Sequence, residues 1–231
     1  QPCDNCGSSD ALSYDDEGGS HCFSCGNTVQ GKSKTADIIN LKDAEDGATL
    51  EERGGYAAIE ERGITGTTAK RYDVSQKDGQ TLFSYYTEEG DRVAAKRRTP
   101  DKDFRTSGAW SKAGLFGQQA FRPGGLAITI TEGEFDAMSV YQLFGSKYPA
   151  VSIKNGANNA LKDCVANYDY LDSFDKVYIC FDTDKFGKAA AQQVADLFSG
   201  KSFIVNLGEY KDANEMLMAG KAAEFVKAWW A

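Results

Sequence analysis

No stretch of this chain approaches the ~18 to 20 consecutive apolar residues that a membrane-spanning helix needs. The longest apolar runs, such as Tyr178-Ile179-Cys180-Phe181, have the length of strands. A helical membrane protein is excluded. The first residues, Gln1-Pro2-Cys3-Asp4, carry neither a charged nor an apolar leader region, and there is no initiator Met. That start lacks a secretory signature and leads us to expect a cytoplasmic protein whose first residues have been trimmed. Internal repeats and low-complexity tracts are missing as well. Proline is scarce, with 4 residues against 24 glycines, in a chain of 231 residues that is 41% apolar, 26% charged and 12% aromatic. These are ordinary globular proportions, enough for one or two domains.

Positive charge is also in short supply. The 26 Lys and Arg face 34 Asp and Glu, a net charge of −8, which argues against a generic nucleic-acid coat or a basic membrane patch. The deficit is local, however. Residues 1 to 62 hold thirteen acids and five bases, so the whole excess lies there and the rest of the chain balances. Within the balanced part, residues 92 to 112 contain Arg92, Lys96, Arg97, Arg98, Lys102, Arg105 and Lys112 against Asp101 and Asp103. This stretch is where a polyanion would bind.

Of the six cysteines, Cys3, Cys6, Cys22 and Cys25 form two C-x2-C pairs with fifteen residues between them. Each pair turns tightly enough to aim two thiolates at one point, and two such knuckles complete the tetrahedron that Zn²⁺ prefers. Gly7 and Gly26 supply permissive backbone after each knuckle. Duplication of the pairs and the missing leader favour zinc over disulfides or a redox pair. His21 adjoins Cys22, but four cysteines already close the shell. Cys164 and Cys180 are isolated and read as core packing. Residues 26 to 33, from Gly26 to Gly31-Lys32-Ser33, satisfy the G-x4-G-K-[ST] phosphate-loop pattern. That loop requires a buried strand directly before it, and a zinc knuckle stands there instead, so the match is rejected.

We therefore expect a zinc ribbon over residues 1–30 and a polar linker over 31–55. A small α+β subdomain over 56–124 and an α/β subdomain over 125–231 should follow. In the third part, Ala57-Ala58-Ile59 and Thr67 to Tyr72 read as short helices around Gly63. Residues 81 to 86 and 92 to 97 flank Glu88-Glu89-Gly90-Asp91 as a hairpin that presents the basic stretch. From Gly125, strands at 126–131, 148–153, 176–181 and 202–207 alternate with helices at 134–144 and 187–198. This alternation predicts a parallel sheet with right-handed crossovers. Residues 220 to 231 read as a final amphipathic helix whose tryptophans cover the domain.

Ligand and catalytic groups of open α/β sheets collect beyond the carboxyl ends of the strands. Acidic clusters fall there at Glu132-Gly133-Glu134-Phe135-Asp136 and Asp182-Thr183-Asp184, with Lys211-Asp212-Ala213-Asn214-Glu215 as a third candidate. A single acid there would be a helix N-cap. Three acidic turns on one rim repel one another unless a cation intervenes, and hard carboxylate oxygens suit Mg²⁺ or Mn²⁺. Such ions serve phosphodiester formation or cleavage.

The E-G-x-x-D turn at 132–136 with the D-x-D at 182–184 resembles the TOPRIM fold of primases, topoisomerases and some nucleases. With the four-cysteine ribbon, the basic hairpin, residues 101 to 106 (DKDFRT) and residues 211 to 215 (KDANE), the chain resembles the primase half of the primase-helicase of T7-like bacteriophages. The quoted motifs run from residue 2 to residue 215. The resemblance implies a DNA primase, a nucleotidyltransferase that makes short RNA primers from ribonucleoside triphosphates on single-stranded DNA. It implies Zn²⁺ at Cys3, Cys6, Cys22 and Cys25, and Mg²⁺ at Glu132, Asp182, Asp184 and Asp212. Lys96 and Lys102 would contact nucleotide phosphates. The implied partners are a single-stranded template, a replicative helicase and the DNA polymerase that receives the primer, in the host cytoplasm and without a membrane. Lys154-Asn155-Gly156 replaces a family loop that carries histidine, and His21 is displaced from the family's ribbon histidine. Two competing readings are a TOPRIM nuclease and a non-catalytic adaptor that only binds single strands.

Overall fold

The computed structural model describes residues 49–101 and 103–231, together with three short strands nearer the N-terminus. The chain divides into two compact units, residues 1–38 and 39–231. In the first unit, β1 (Leu12–Tyr14), β2 (Ser20–Cys22) and β3 (Thr28–Val29) form an antiparallel sheet in that order. Leu12 stands opposite Cys22, and His21 opposite both Ser13 and Thr28. Cys3, Cys6 and Cys25, and residues 31–48 of the expected linker, lie outside the described residues, as does Lys102.

The first described residues of the second unit are tied to a sheet. Gly55 exchanges backbone hydrogen bonds with Gln76 at 2.8 and 3.0 Å, and Arg53 pairs with Asp73 at 2.8 Å. Asp73 also accepts hydrogen bonds from the hydroxyls of Tyr56 and Tyr86. Residues 57 to 59 are not helical, contrary to the reading from sequence. Ile59 is fully buried and bridges to Ile64, and Glu60–Arg62 make a single 3-10 turn closed by Gly63 at φ +64°. The bridge wins because it seats both isoleucines in the core, and glycine carries the left-handed turn between them.

Helix α1 (Gly66–Arg71) begins at Thr65, whose hydroxyl accepts the Thr68 N–H. Strands β4 (Val74–Lys77), β5 (Gln80–Tyr86), β6 (Arg92–Arg98) and β7 (Phe104–Gly108) then form an antiparallel meander in that order. The hairpin expected from residues 81 to 97 is its centre. The outer strands were not legible: VSQK and FRTSG are short and polar, without the alternation of a half-buried strand.

A parallel sheet follows. Its elements are β8 (Gly125–Thr131), α2 (Glu134–Leu143), β9 (Ala150–Ser152), α3 (Ala160–Ala166), α4 (Tyr168–Asp172), β10 (Phe174–Cys180), α5 (Lys185–Leu197), β11 (Ser202–Ile204), α6 (Ala213–Met218) and α7 (Ala222–Trp230). The strand order is β11-β10-β8-β9, all parallel, as the β/α alternation predicted. The chain leaves β8 to one side for β9 and then returns to the other for β10. The crevice between β8 and β10 is therefore the topological switch point, where ligands of such sheets bind.

Ile128, Ile130, Val177 and Ile179 pack on α3 and α5 through Cys164, Val194 and Phe198. The opposite face meets α2 and α7. Helix α2 is buried on nearly every side, so the one apolar face suggested by its periodicity understates its environment. It is enclosed because the meander closes over it, with Phe83 meeting Phe135 at 5.2 Å between ring centres. Tyr72 joins both sheets: its ring stacks on Phe116 and its hydroxyl donates to the Ala150 carbonyl at 2.9 Å. In α7, Trp229 stacks on Tyr178 at 3.6 Å and its indole N–H donates to Thr129 at 2.9 Å. Trp229→Phe keeps most of the packing but leaves the buried Thr129 hydroxyl without that donor. It should cost about 1–2 kcal/mol in urea unfolding, whereas half-exposed Trp230 should tolerate the same change within about 0.5 kcal/mol.

Candidate active site

Both strand ends at the switch point deliver carboxylates. Glu132 follows the last residue of β8, and Asp182 stands two residues beyond β10. Gly187 determines how closely α5 approaches the second end. A Cβ there would lie 2.2 Å from the Asp182 carbonyl oxygen, so only glycine lets the first turn of α5 pass the backbone carrying this acid. A third segment is brought in by backbone pairing: the Thr183 N–H donates to the Lys211 carbonyl at 2.9 Å, and its hydroxyl to the Tyr210 carbonyl at 3.2 Å. This fixes the D-x-D turn against the KDANE segment.

The acids do different work locally. Asp184 caps α5, accepting the Gly187 N–H at 2.8 Å, and Asp212 caps α6, accepting the Glu215 N–H at 2.8 Å. Both thus have an ordinary structural use. Glu132 and Asp182 cap nothing, and Glu132 Oε2 is buried without a hydrogen-bond partner. An orphaned buried acceptor of this kind is uncommon and calls for a cation or a donor from a ligand. Asp182 receives one exposed cation, Lys211, at 3.1 Å.

Asp136 lies on the first turn of α2, within the acidic motif of residues 132–136. Its carboxylate accepts the Asn214 N–H at 3.0 Å, and Asn214 in turn donates to Ser139 at 2.9 Å and to the Arg62 carbonyl at 2.8 Å. Asn214 therefore staples α6 to α2. Only tertiary packing shows this, because the partners lie 75 or more residues apart in sequence.

The electrostatics follow from the crowding. Burial, with Asp182 and then Asp184 nearby, pushes the Glu132 carboxyl up to about 7 against the N–H groups of Ala157 and Asp182. Burial raises Asp182 too, with the Lys211 ammonium working against it and Asp212 and Asp184 adding to it. Asp136 stands well above the usual carboxylate range, through burial and then through Asp212, Asp182 and Glu132. These shifts place the three acidic segments within mutual electrostatic reach. Among the described residues no three acidic, histidine or cysteine side chains make a ready-made cation cage. Mg²⁺ does not require one, since it takes one or two carboxylates and completes its shell with water and substrate phosphates. The orphaned Glu132 oxygen and the all-oxygen donor set fit such an ion.

A raised folded pKa means the folded protein binds the proton more tightly than the unfolded chain. The associated stability is complete below about pH 4.5 and is lost as the pH rises through about 7. For Glu132 alone this is up to ~3 kcal/mol. Asp73 has the opposite sign: burial is outweighed by Tyr56, Tyr86 and Arg53, its pKa is lowered, and its contribution disappears only in acid. Between pH 5 and 8 the rim should dominate. Chelator-treated protein should melt at lower temperature at pH 8 than at pH 6, and Mg²⁺ should flatten that slope; thermal scans with and without Mg²⁺ check it.

The loop after β9 is held by a cluster of hydrogen bonds. Buried Asp163 accepts the N–H groups of Lys154 and Asn155 at 2.9 and 3.0 Å and the Asn155 amide at 2.8 Å, while Asn155 accepts from Trp110 at 3.1 Å. This sets Ala157 beside Glu132. Of the basic residues, Lys96 is not at the surface: its ammonium lies 2.5 Å from Glu134 Oε1 and its side chain is 6% exposed.

An acid-rimmed switch point on a four-stranded parallel sheet defines a Toprim-type α/β domain, and residues 129–217 match the Toprim-like family model. The DNA helicase/primase of Enterobacteria phage T3 is 31% identical over 242 residues, covering 99% of this chain and 43% of that protein. The crystal structure of the primase fragment of the bacteriophage T7 primase-helicase superposes with a TM-score of 0.74 at 34% identity, over 99% of this chain and 98% of that one. A second T7 structure has primase domains of two subunits bound to an RNA/DNA hybrid and dTTP and interacting with the lagging-strand DNA polymerase. It matches at a TM-score of 0.70 and 34% identity, over 85% of this chain and 98% of that one. The chain belongs to the T3/T7 phage primase-helicase family and corresponds to its primase part. It spans less than half the length of the curated relative.

Proposed function

We propose that this chain is a DNA primase, a nucleotidyltransferase joining ribonucleoside triphosphates into short RNA on a single-stranded DNA template. The observation that carries the reading is the acidic switch point with its orphaned Glu132 oxygen, set in a fold that matches the T7 primase fragment over 98% of its length. Glu132, Asp182, Asp184 and Asp212 would hold Mg²⁺ or Mn²⁺, with Asp136 behind them. The bound ion would activate the attacking hydroxyl and stabilise the leaving pyrophosphate. The chain's own residues orient these acids through the caps and staples described above, and Lys211 neutralises the rim's outer edge. Lys102 remains the candidate for nucleotide phosphate.

The basic face of the hairpin supports template binding. Arg97 stands opposite Arg105 across β6 and β7, so these two positive residues share one face of the meander, where Arg97 also meets Glu51 at 3.3 Å. Arg98 on the other face lies over Phe104 and Phe135, and the Arg97–Arg105 face suits a phosphate backbone. Cys3, Cys6, Cys22 and Cys25 would hold a structural Zn²⁺ in an acidic ribbon, which must read the template by specific contacts rather than bulk charge. The T7 primase domains' contact with a polymerase, and the fusion of helicase with primase in the T3 relative, support a helicase and a polymerase as partners. A host-cytoplasm location accords with this, and among the described residues no helix is long and apolar enough to cross a membrane.

Incubation with ribonucleotides, Mg²⁺ and assorted single-stranded templates should yield short RNA. DNA cleavage without RNA synthesis would indicate a nuclease, and template retention with neither activity would indicate an adaptor; either outcome overturns the proposal.

A further inference from the structure

Lys96 sits on β6 opposite Phe83 of β5 and Thr106 of β7, on the side of the meander that covers α2. Its ammonium donates to Glu134 Oε1 at 2.5 Å, and the same oxygen accepts the Tyr85 hydroxyl at 2.5 Å. Phe104 closes over the ammonium, 5.2 Å from ring centre to nitrogen. Lys96 is 5% exposed and Glu134 6%. Burying this pair incurs desolvation on both partners, and in some proteins a buried pair of this kind fixes one geometry at a cost in stability.

The geometry that this pair specifies is next to the rim. Glu134 is the first residue of α2, two positions after Glu132 and two before Asp136. Apolar contact, such as Phe83 on Phe135, is non-directional. Donors from two adjacent strands converging on one carboxylate oxygen are directional.

We propose that Lys96 is a positioning residue. It clamps the first turn of α2 through Glu134 and Tyr85, and so sets the Glu132 carboxylate for the cation and Asp136 behind it, without touching nucleotide. The inference rests on the proposed nucleotidyl transfer at this rim, and it replaces a direct phosphate role for Lys96.

The test uses Lys96→Met, Glu134→Gln and the double variant, read by Mn²⁺ titration with electron paramagnetic resonance and by steady-state primer synthesis. Each single change should weaken Mn²⁺ binding about tenfold and lower kcat about tenfold or more, as loss of supporting contacts to metal ligands does. KM for ribonucleotide should move less than about twofold, and the double variant should be no worse than the poorer single, because the two side chains act as one unit. If Lys96→Met instead raises KM tenfold while Glu134→Gln is silent, Lys96 contacts phosphate and the proposal falls. It falls equally if only the melting temperatures change. Should an unpaired buried charge prevent either single variant from folding, the neutral double variant decides: unchanged Mn²⁺ affinity there overturns the clamp. A wild-type protein that binds Mn²⁺ but makes no RNA would refute the primase reading and leave the clamp to be judged by the Mn²⁺ titration.

Discussion

Asp182→Ala should reduce primer synthesis by on the order of a thousandfold while leaving single-stranded template binding within about twofold. The separation follows from the layout. The acid stands at the end of β10 in the switch-point crevice, whereas Arg97 and Arg105 stand on β6 and β7 of the other sheet. Glu132→Gln should be equally damaging to synthesis, yet it should stabilise the chelator-treated protein by up to ~3 kcal/mol at pH 8, because it removes a charge that burial and Asp182 disfavour. Opposite signs for activity and stability mark a residue placed for function at the expense of the fold. An adaptor would retain its function in both variants. Gel analysis of labelled RNA, a template-binding isotherm and a thermal scan on the same preparations read all three quantities.

Gly187→Ala has the next largest expected effect, and its origin is steric. The added Cβ would meet the Asp182 carbonyl oxygen at 2.2 Å and the carbonyl carbon at 3.0 Å, and backbone cannot yield as a flexible side chain can. Either α5 retreats, losing the Asp184 cap, or the Asp182 backbone moves. We expect a loss of about 4 kcal/mol or more, well above an ordinary overpacking change. Synthesis by the folded fraction should fall at least tenfold, because both acids of the D-x-D turn share the displaced segment. Gly200→Ala, at φ +93° with open space around its Cβ position, should cost only about 1–2 kcal/mol and spare activity. Urea titration alongside single-turnover synthesis separates the two effects.

What could be read from sequence was whatever is local. Four parallel strands, the helices α2, α5 and α7 and the acidic turns at strand ends follow from periodicity and from the rule that places ligands beyond carboxyl ends, whereas the short helices α3, α4 and α6 were not legible. The strand limits were drawn too generously: β9 and β11 have three residues each where six were expected. Runs such as YPAVSI and SFIVNL continue apolar because their flanks enter the core as loops, Val205 and Leu207 among them. The meander's outer strands acquire strand character only from pairing with β5 and β6. The position of Lys96 was illegible for a related reason. Nothing in the run RVAAKRR distinguishes the buried lysine from its half-exposed neighbours Arg97 and Arg98. That distinction depends on Phe104 and on Glu134, 38 residues further along. Asp136 and Asn214 gain their roles from each other across 78 residues, a pairing no local pattern encodes.

The central claim is that the crevice between β8 and β10 holds the cation that serves nucleotide transfer. Anomalous diffraction from a crystal soaked with Mn²⁺ and a ribonucleoside triphosphate tests it most directly. The account predicts a manganese peak at the Glu132 and Asp182 carboxylates, with triphosphate oxygens completing its shell. A nucleotide bound elsewhere, or manganese peaks confined to other acidic residues while this rim stays empty, would contradict it.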